Sequence, residues 1–229
     1  MIVLRPSAVG VLAAILAAAP AAPSAATTTA TGTATAATAT TSATAAPTTT
    51  DTANDRADAR PVRAGLVRWS TDRRFRGGER NGVVVAGDAI RIGEPVGVRR
   101  WRDPYGSAPT RRYAYGRWVS PWVQPGFAFR EVVPSWSART PKGTWLQPEV
   151  RVRTTGDRTG SWDVLGHWQG RLRGIHDSSQ GPQPDSVASV AVDTVRTHTP
   201  ARAWQLRFTL FRAVGSGRSP RVASVGAVA

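Results

Sequence analysis

Apolar and polar residues alternate with a period of two in several parts of this chain, and this pattern restricts the fold more than any other property of the sequence. In residues 204–210 (WQLRFTL), large apolar side chains occupy every second position. Residues 144–153 (TWLQPEVRVR) show a similar pattern, with Leu146, Val150 and Val152 between mostly polar neighbours. Successive side chains of a β-strand point to opposite faces, so both segments are predicted to be strands with one buried face.

Short apolar runs separated by turn residues extend this interpretation to the rest of the domain. Clusters of Gly, Pro, Asp and Ser divide the runs, as in all-β proteins, and no segment favours a helix. Because half-buried strands need a second layer, we predict an all-β fold of two antiparallel sheets packed face to face, a jelly-roll-like sandwich. The predicted strands are 66–70, 83–86, 89–92, 111–119, 127–133, 144–153, 161–168, 186–192, 203–212 and 221–228.

The first 60 residues differ in composition from the rest of the chain. Arg5 precedes a short apolar run at residues 8–19, and small residues follow it, a pattern typical of an export signal. Residues 27–60, mostly Thr and Ala and then charged, cannot repay the entropy of ordering a chain. We therefore predict a signal peptide over 1–26, a disordered linker over 27–60 and a β-sandwich domain over 61–229. The mature protein is expected to be secreted, with no transmembrane segment after cleavage.

Two extremes of composition narrow the function. The sequence contains no cysteine, which excludes a disulfide framework, a thiol nucleophile and a Cys-ligated zinc site. Its 30 basic and 15 acidic residues give a formal net charge of +15, and Lys142 is the single basic residue besides the arginines. An anionic partner is one explanation of this excess. A GC-rich coding sequence, which favours arginine codons, is the other.

Motifs for catalysis and metal binding are weak. Glu131 and Glu149, both on predicted strands, are the candidate acid pair of a glycan hydrolase, since retaining enzymes place two carboxyl groups about 5 Å apart. The alternative, which we expect, is that each carboxylate pairs with a nearby arginine on a solvated sheet face. The three histidines lack metal-ligand spacing, so we predict no metal site and no cofactor. A structural calcium ion is the alternative, with oxygen ligands from the loop residues Asp157, Asp177, Asp185 and Asp193.

Aromatic and arginine residues are better candidates for a function in binding. The chain has nine tryptophans, and exposed indole rings offer flat faces on which sugar rings can stack. Those that follow strand alternation, Trp162, Trp168 and Trp204, are expected in the core. Arginines and aromatic residues also interleave around residues 99–118, a pattern that suits an anionic or stacked ligand. The predicted ligand-binding residues are Trp101, Trp118, Trp122, Arg100, Arg112 and Tyr115.

Several segments resemble a known family. Residues 133–145 (VPSWSARTPKGTW), followed by 149–153 (EVRVR), are similar to a motif of secreted actinobacterial proteins of the C-39-like peptidase family. Further segments agree in order: 162–168 (WDVLGHW), 191–194 (AVDT), 205–212 (QLRFTLFR) and 224–227 (SVGA). In that family a β-sandwich precedes a papain-like domain with a catalytic Cys and His. Because this sequence has no cysteine, the resemblance transfers no catalytic residue and implies a stand-alone or truncated copy of the accessory module.

These observations together predict a secreted, non-catalytic β-sandwich module that binds an extracellular or cell-wall glycan, or another anionic polymer. We expect a monomer. The alternative from a different class is a part of a hydrolase, either a truncated cysteine peptidase or a glycan hydrolase that uses Glu131 and Glu149. Binding to nucleic acid is a third alternative, which we do not expect.

Overall fold

The computed structural model describes residues 62–170, 177–181, 183 and 185–229. The predicted signal peptide over 1–26 and the predicted linker over 27–60 lie outside the described residues and stay predictions. No helix within the described ranges is long and apolar enough to span a membrane.

Strands dominate the described residues, as the alternation predicts, and all of their pairings are antiparallel. The predicted strand 161–168 is divided in two, and three short strands, β2, β5 and β11, were not predicted. The strands are β1 (Leu66–Trp69), β2 (Glu79–Asn81), β3 (Val83–Val85), β4 (Ile90–Ile92), β5 (Gly97–Trp101), β6 (Arg111–Val119), β7 (Phe129–Arg139), β8 (Thr144–Thr154), β9 (Asp163–Val164), β10 (Gly166–His167), β11 (Ser178–Ser179), β12 (Ala188–Ala191), β13 (Thr194–Ala213) and β14 (Arg221–Val228).

Twelve of the strands form one continuous, nearly closed, barrel-like sheet, rather than the two separate sheets of the predicted sandwich. Its main path is β2-β6-β13-β7-β14-β4-β3, and β10 and β11 form a small separate sheet. The joining strands are β7 and β13, which are longer than predicted. The first residues of β7 pair with β13 and its later residues pair with β14.

Irregular pairing explains how β13 serves two parts of the sheet. Its first half pairs with β12 and β7, and its second half pairs with β8 and β6. The register shifts between Arg196 and Ala201 and again between Ala201 and Ala203. Such bulges bend and twist a strand, so a single strand can pass from one side of a barrel to the other. The short predicted segment 203–212 contained no signal of this bend.

The inner side of the barrel is filled by the residues that the alternation places on one face. Trp204, Leu206, Phe208 and Leu210 are all fully buried. Trp118 is also fully buried, and its ring lies edge-on to Trp69 at a centroid distance of 5.6 Å. Burial of each such side chain stabilises the fold by about 2 to 3 kcal/mol on transfer figures.

One short helix, α1 (Asp72–Arg76), closes an end of this core, although no helix was predicted. Thr71 caps it, since its Oγ1 accepts a hydrogen bond from the Arg74 backbone N–H at 3.4 Å. Phe75 is fully buried and meets Trp118 edge-on at 5.6 Å. The indole Nε1 of Trp118 donates to the Phe75 carbonyl at 2.9 Å, so the core satisfies a carbonyl of the helix that closes it.

Candidate binding face

The strand register defines a face of the sheet that points away from the core. Every second residue of β5, β6, β13 and β8 points to this face. Across neighbouring strands, Phe211 of β13 is paired with Tyr115 of β6 on one side and with Trp145 of β8 on the other. Two rows further along, Arg207 lies between Val119 and Glu149. We call this surface the outer face. The aromatic and arginine side chains that could bind a ligand are grouped here.

Trp118 is not part of any binding surface, which corrects the prediction made from the sequence. Its side chain has no exposed area and lies in the core between Trp69 and Phe75. The reason lies in the close approach of β6 to its neighbours. A Cβ at Gly116 would lie 2.3 Å from the Gly82 carbonyl oxygen, so the face shared by Gly116 and Trp118 is the inner one.

The other predicted ligand-binding residues are divided between two faces. Arg100 and Arg112 are exposed and are directly opposed across β5 and β6, whereas Trp101 and Tyr115 have the other parity and lie on the outer face. Trp122 lies outside the strands and contacts Arg151 and Arg153, at the end of the outer face opposite to Trp101 and Tyr115. The predicted set therefore does not form one site.

An aromatic cluster covers one end of the outer face. Trp145 and Phe211 are buried and stacked, with centroids 3.8 Å apart and planes 5° apart. Trp101 packs on Trp145 at 4.9 Å and remains half-buried. His167 lies 5.2 Å from both tryptophan rings. Burial, and then the positive charge of Arg99, lowers the pKa of His167 to about 4, so this imidazole is neutral at physiological pH.

A pocket of about 230 Å³ lies beside the cluster and is lined by Val98, Arg99, Tyr115, Arg117 and Phe211. Arg99 donates to Gln147 Oε1 at 3.4 Å, and the Arg117 guanidinium lies 4.9 Å from the Tyr115 centroid. The Nε of Arg117 is buried and has no hydrogen-bond partner among the described residues. Two guanidinium groups and apolar walls are suited to an anionic group on an otherwise apolar or sugar-like ligand.

Two indole rings and three guanidinium groups alternate further along the outer face, and we call them the arginine–tryptophan ladder. Its members, in order, are Arg153, Trp122, Arg151, Trp162 and Arg207. The Cζ atoms of Arg153 and Arg151 lie 4.3 and 5.0 Å from the Trp122 centroid. Those of Arg151 and Arg207 each lie 4.4 Å from the Trp162 centroid. Each indole therefore contacts two cations, and each contact contributes about 0.5 to 2 kcal/mol.

A buried ion pair ends the ladder. Glu149 is 2% exposed and accepts two hydrogen bonds from Arg207, one from Nε to Oε2 at 2.6 Å and one from Nη2 to Oε1. The Thr209 hydroxyl also donates to Oε2, at 3.2 Å. The Glu149 carboxylate is thus fully engaged by Arg207 and Thr209.

Arg151 and Arg153 differ from Arg207 in having no carboxylate within ion-pair distance among the described residues. The Nε of Arg151 donates to Gln205 Oε1 at 2.8 Å, and the Nε of Arg153 donates to Thr159 Oγ1 at 3.3 Å. Burial, and then the charges of Arg207 and Arg153, lowers the pKa of Arg151. The Glu79 carboxylate acts on Arg151 in the opposite direction but more weakly. Among the described residues, Arg207 is thus the one ladder arginine held in an ion pair.

The candidate acid pair is not brought together. Glu131 is exposed and pairs with Arg196 at 2.9 Å, while Glu149 is buried and pairs with Arg207. The two arginines are 11 residues apart in β13, on either side of its register shifts near Ala201, so the two carboxylates are held against different parts of the strand. Glycosidase carboxyl groups lie about 5 to 10 Å apart, so the geometry fits the predicted alternative, pairing with arginine.

The four aspartates proposed as calcium ligands have separate contacts. Asp157 pairs with Arg202, Asp177 accepts from the Gln169 backbone N–H at 2.5 Å, and Asp185 accepts from the backbone N–H of Val187 at 2.7 Å. Asp193 adopts a φ of 60° in a turn. Within the part of the chain that the structure describes, no three His, Asp or Glu side chains converge as metal ligands would.

Sequence reasoning missed most of the ladder. Trp162 was expected in the core, but it is half-buried on the outer face. The reason is the register of β9, which places Asp163 opposite the buried Val150 and so gives the preceding residue, Trp162, the outer parity. Trp204 is buried as predicted, and Trp168 packs against the core while remaining half-buried. A usable signal was present in β8, where Arg151 and Arg153 alternate with buried valines.

Among comparisons with known proteins, a match is found with the model of one family. No curated protein and no solved structure matches the chain. The model of one family, described as the Peptidase C39 N-terminal domain, matches residues 65–229, which confirms the resemblance seen in the sequence. No cysteine is present and no catalytic domain is detected. The match covers most of the chain, and the chain therefore belongs to the Peptidase C39 N-terminal domain family.

Proposed function

We propose that this chain is a secreted, non-catalytic accessory module that binds polysaccharide of the cell envelope through its outer face. The observation that supports the proposal is the composition of this face. Tyr115, Trp122 and Trp162 are half-buried there and are interleaved with arginines. Half-buried aromatic and arginine side chains are typical of recognition surfaces, whereas a face with only a structural role needs neither.

The pocket between Arg99 and Arg117 strengthens the proposal. The pocket lies on the same face as the ladder, and the strands that carry them, β6, β13 and β8, are neighbours in the sheet. An extended polymer could therefore contact the pocket and the ladder at the same time, and several weak contacts along one chain add up through multivalency.

A hydrolytic role has less support. A cysteine peptidase needs a thiolate, which this sequence lacks. A glycan hydrolase using Glu131 and Glu149 needs neighbouring carboxyl groups, and these two are paired with different arginines of β13. Membership of a family named for a peptidase domain does not supply the missing chemistry.

Co-sedimentation with purified, insoluble bacterial cell wall tests the proposal. We expect the full chain to sediment with the wall at low salt and to be released in part at about 0.5 M salt, because screening weakens the arginine contacts. Retention that does not change with salt would mean that sugar stacking dominates, and the proposed binding would still hold. Failure to sediment at either salt concentration would contradict the proposed function.

A further inference from the structure

We propose that the arginine–tryptophan ladder binds the anionic groups of an acidic polysaccharide, and that it selects such polymers over neutral glycans. This inference rests on the proposed function and names the class of polysaccharide. The anionic groups are carboxylates or phosphates carried at intervals along the polymer, which share the same hydrogen-bonding chemistry toward guanidinium groups.

Two guanidinium groups of the ladder have unused hydrogen-bonding capacity. Arg151 and Arg153 are both held through Nε, by Gln205 and Thr159. Their Nη groups donate to no residue in the described ranges of the chain. A planar guanidinium that is held at one edge presents the other edge to a ligand, and that edge matches the two oxygens of a carboxylate or phosphate.

The charge of the ladder also favours an anionic ligand. Glu149 neutralises Arg207, so the pair Arg151 and Arg153 carries excess positive charge on either side of the Trp122 ring. Crowding of these cations costs free energy in the unbound protein, and a bound anion would relieve it. A neutral sugar would gain nothing from this arrangement.

The packing of the two ladder indoles favours a polysaccharide over nucleic acid. Sequence-independent binding of a single strand relies on aromatic rings whose faces are open for base stacking. Both ladder indoles already have two guanidinium groups over their rings. The rings therefore position the arginines, and the arginines, not the rings, contact the ligand.

Affinity measurements with three soluble probes test this inference in the full chain: polygalacturonate, which carries a carboxylate on each sugar, neutral dextran and single-stranded oligothymidylate. We expect polygalacturonate to bind most tightly. Replacing both guanidinium groups (Arg151→Gln with Arg153→Gln) should weaken that binding by about 10-fold or more, since charge-assisted bonds are lost. The matched control removes two exposed arginines elsewhere (Arg73→Gln with Arg91→Gln) and should change the affinity by less than about 2-fold.

The outcomes separate this inference from the function on which it rests. Equal binding of dextran and polygalacturonate, unaffected by the ladder substitutions, would overturn the role of the ladder and leave polysaccharide binding intact. Tighter binding of oligothymidylate would overturn the choice of ligand. If wall and polysaccharides all fail to bind, the proposed function fails as well. Should the double variant unfold, Arg153→Gln alone serves, because Arg153 lies at the end of the ladder.

Discussion

Glu149→Gln is expected to lower the free energy of unfolding by about 3 kcal/mol, because it leaves the Arg207 guanidinium without its carboxylate. The side chain of Glu149 is 3% exposed and that of Arg207 is 21% exposed. Water can therefore replace the lost partner only in part. Denaturant unfolding followed by tryptophan fluorescence would measure the change.

The matched control is Glu131→Gln, which removes the same charge from an exposed pair. Glu131 and Arg196 are 54% and 62% exposed, so this change should cost less than about 1 kcal/mol. The sequence placed both carboxylates on a solvated sheet face, and the burial of Glu149 corrects that expectation. Equal effects of the two substitutions on stability would contradict the structural role assigned to Glu149.

Asp163→Asn is expected to remove a pH dependence of stability that the wild-type protein shows between about pH 4 and pH 7. Asp163 is 1% exposed, and neither of its carboxyl oxygens has a hydrogen-bond partner among the described groups. Burial, and then the negative charge of Asp185, raises the pKa of Asp163 from 3.8 to about 7. The folded state therefore holds its proton more tightly than the unfolded state does.

The direction of the effect follows from this order of pKa values. The contribution of Asp163 to stability is fully present below pH 4 and is lost as the pH rises toward 7, by up to about 4 kcal/mol. The lowered pKa of His167 acts in the opposite direction, so the quantity to measure is the difference between wild type and Asp163→Asn. Urea unfolding of both proteins from pH 4 to pH 8, with a chelator to remove metal ions, measures this difference in the free energy of unfolding. A difference that stays constant with pH would show that Asp163 is ionised throughout.

The fold could be predicted where the sequence of a single strand determines which of its faces is buried. Residues 204–210 place large apolar residues on one face, and that face is buried. The barrel could not be predicted, because it depends on bulges in β13 near Ala201 and on β7 changing partner. Neither event has a local sequence signal, since a bulge is set by pairing with residues far away in the chain.

The candidate site shows the same limit. In β6, aromatic residues lie on both faces of the strand, with Tyr113 and Tyr115 on one and Trp118 on the other. The sequence therefore could not tell which face is the inner one. Gly116 decides it, by the close approach of the Gly82 backbone. The ladder takes its members from four separate segments, and their alternation appears only once the long-range register is known.

The most direct test of the binding role is heteronuclear NMR of the nine indole N–H groups during titration with polygalacturonate. We expect shifts for Trp122 and Trp162 on the outer face. We expect no shift for Trp118 and Trp204, which are fully buried on the inner side. Saturable shifts confined to the two ladder indoles would support binding at this face. Additional shifts of Trp101 or Trp145 would show that the polymer also reaches the pocket. Shifts of the buried Trp118 and Trp204 without shifts of Trp122 and Trp162, or no shifts at concentrations that saturate sedimentation with the wall, would contradict binding at this face.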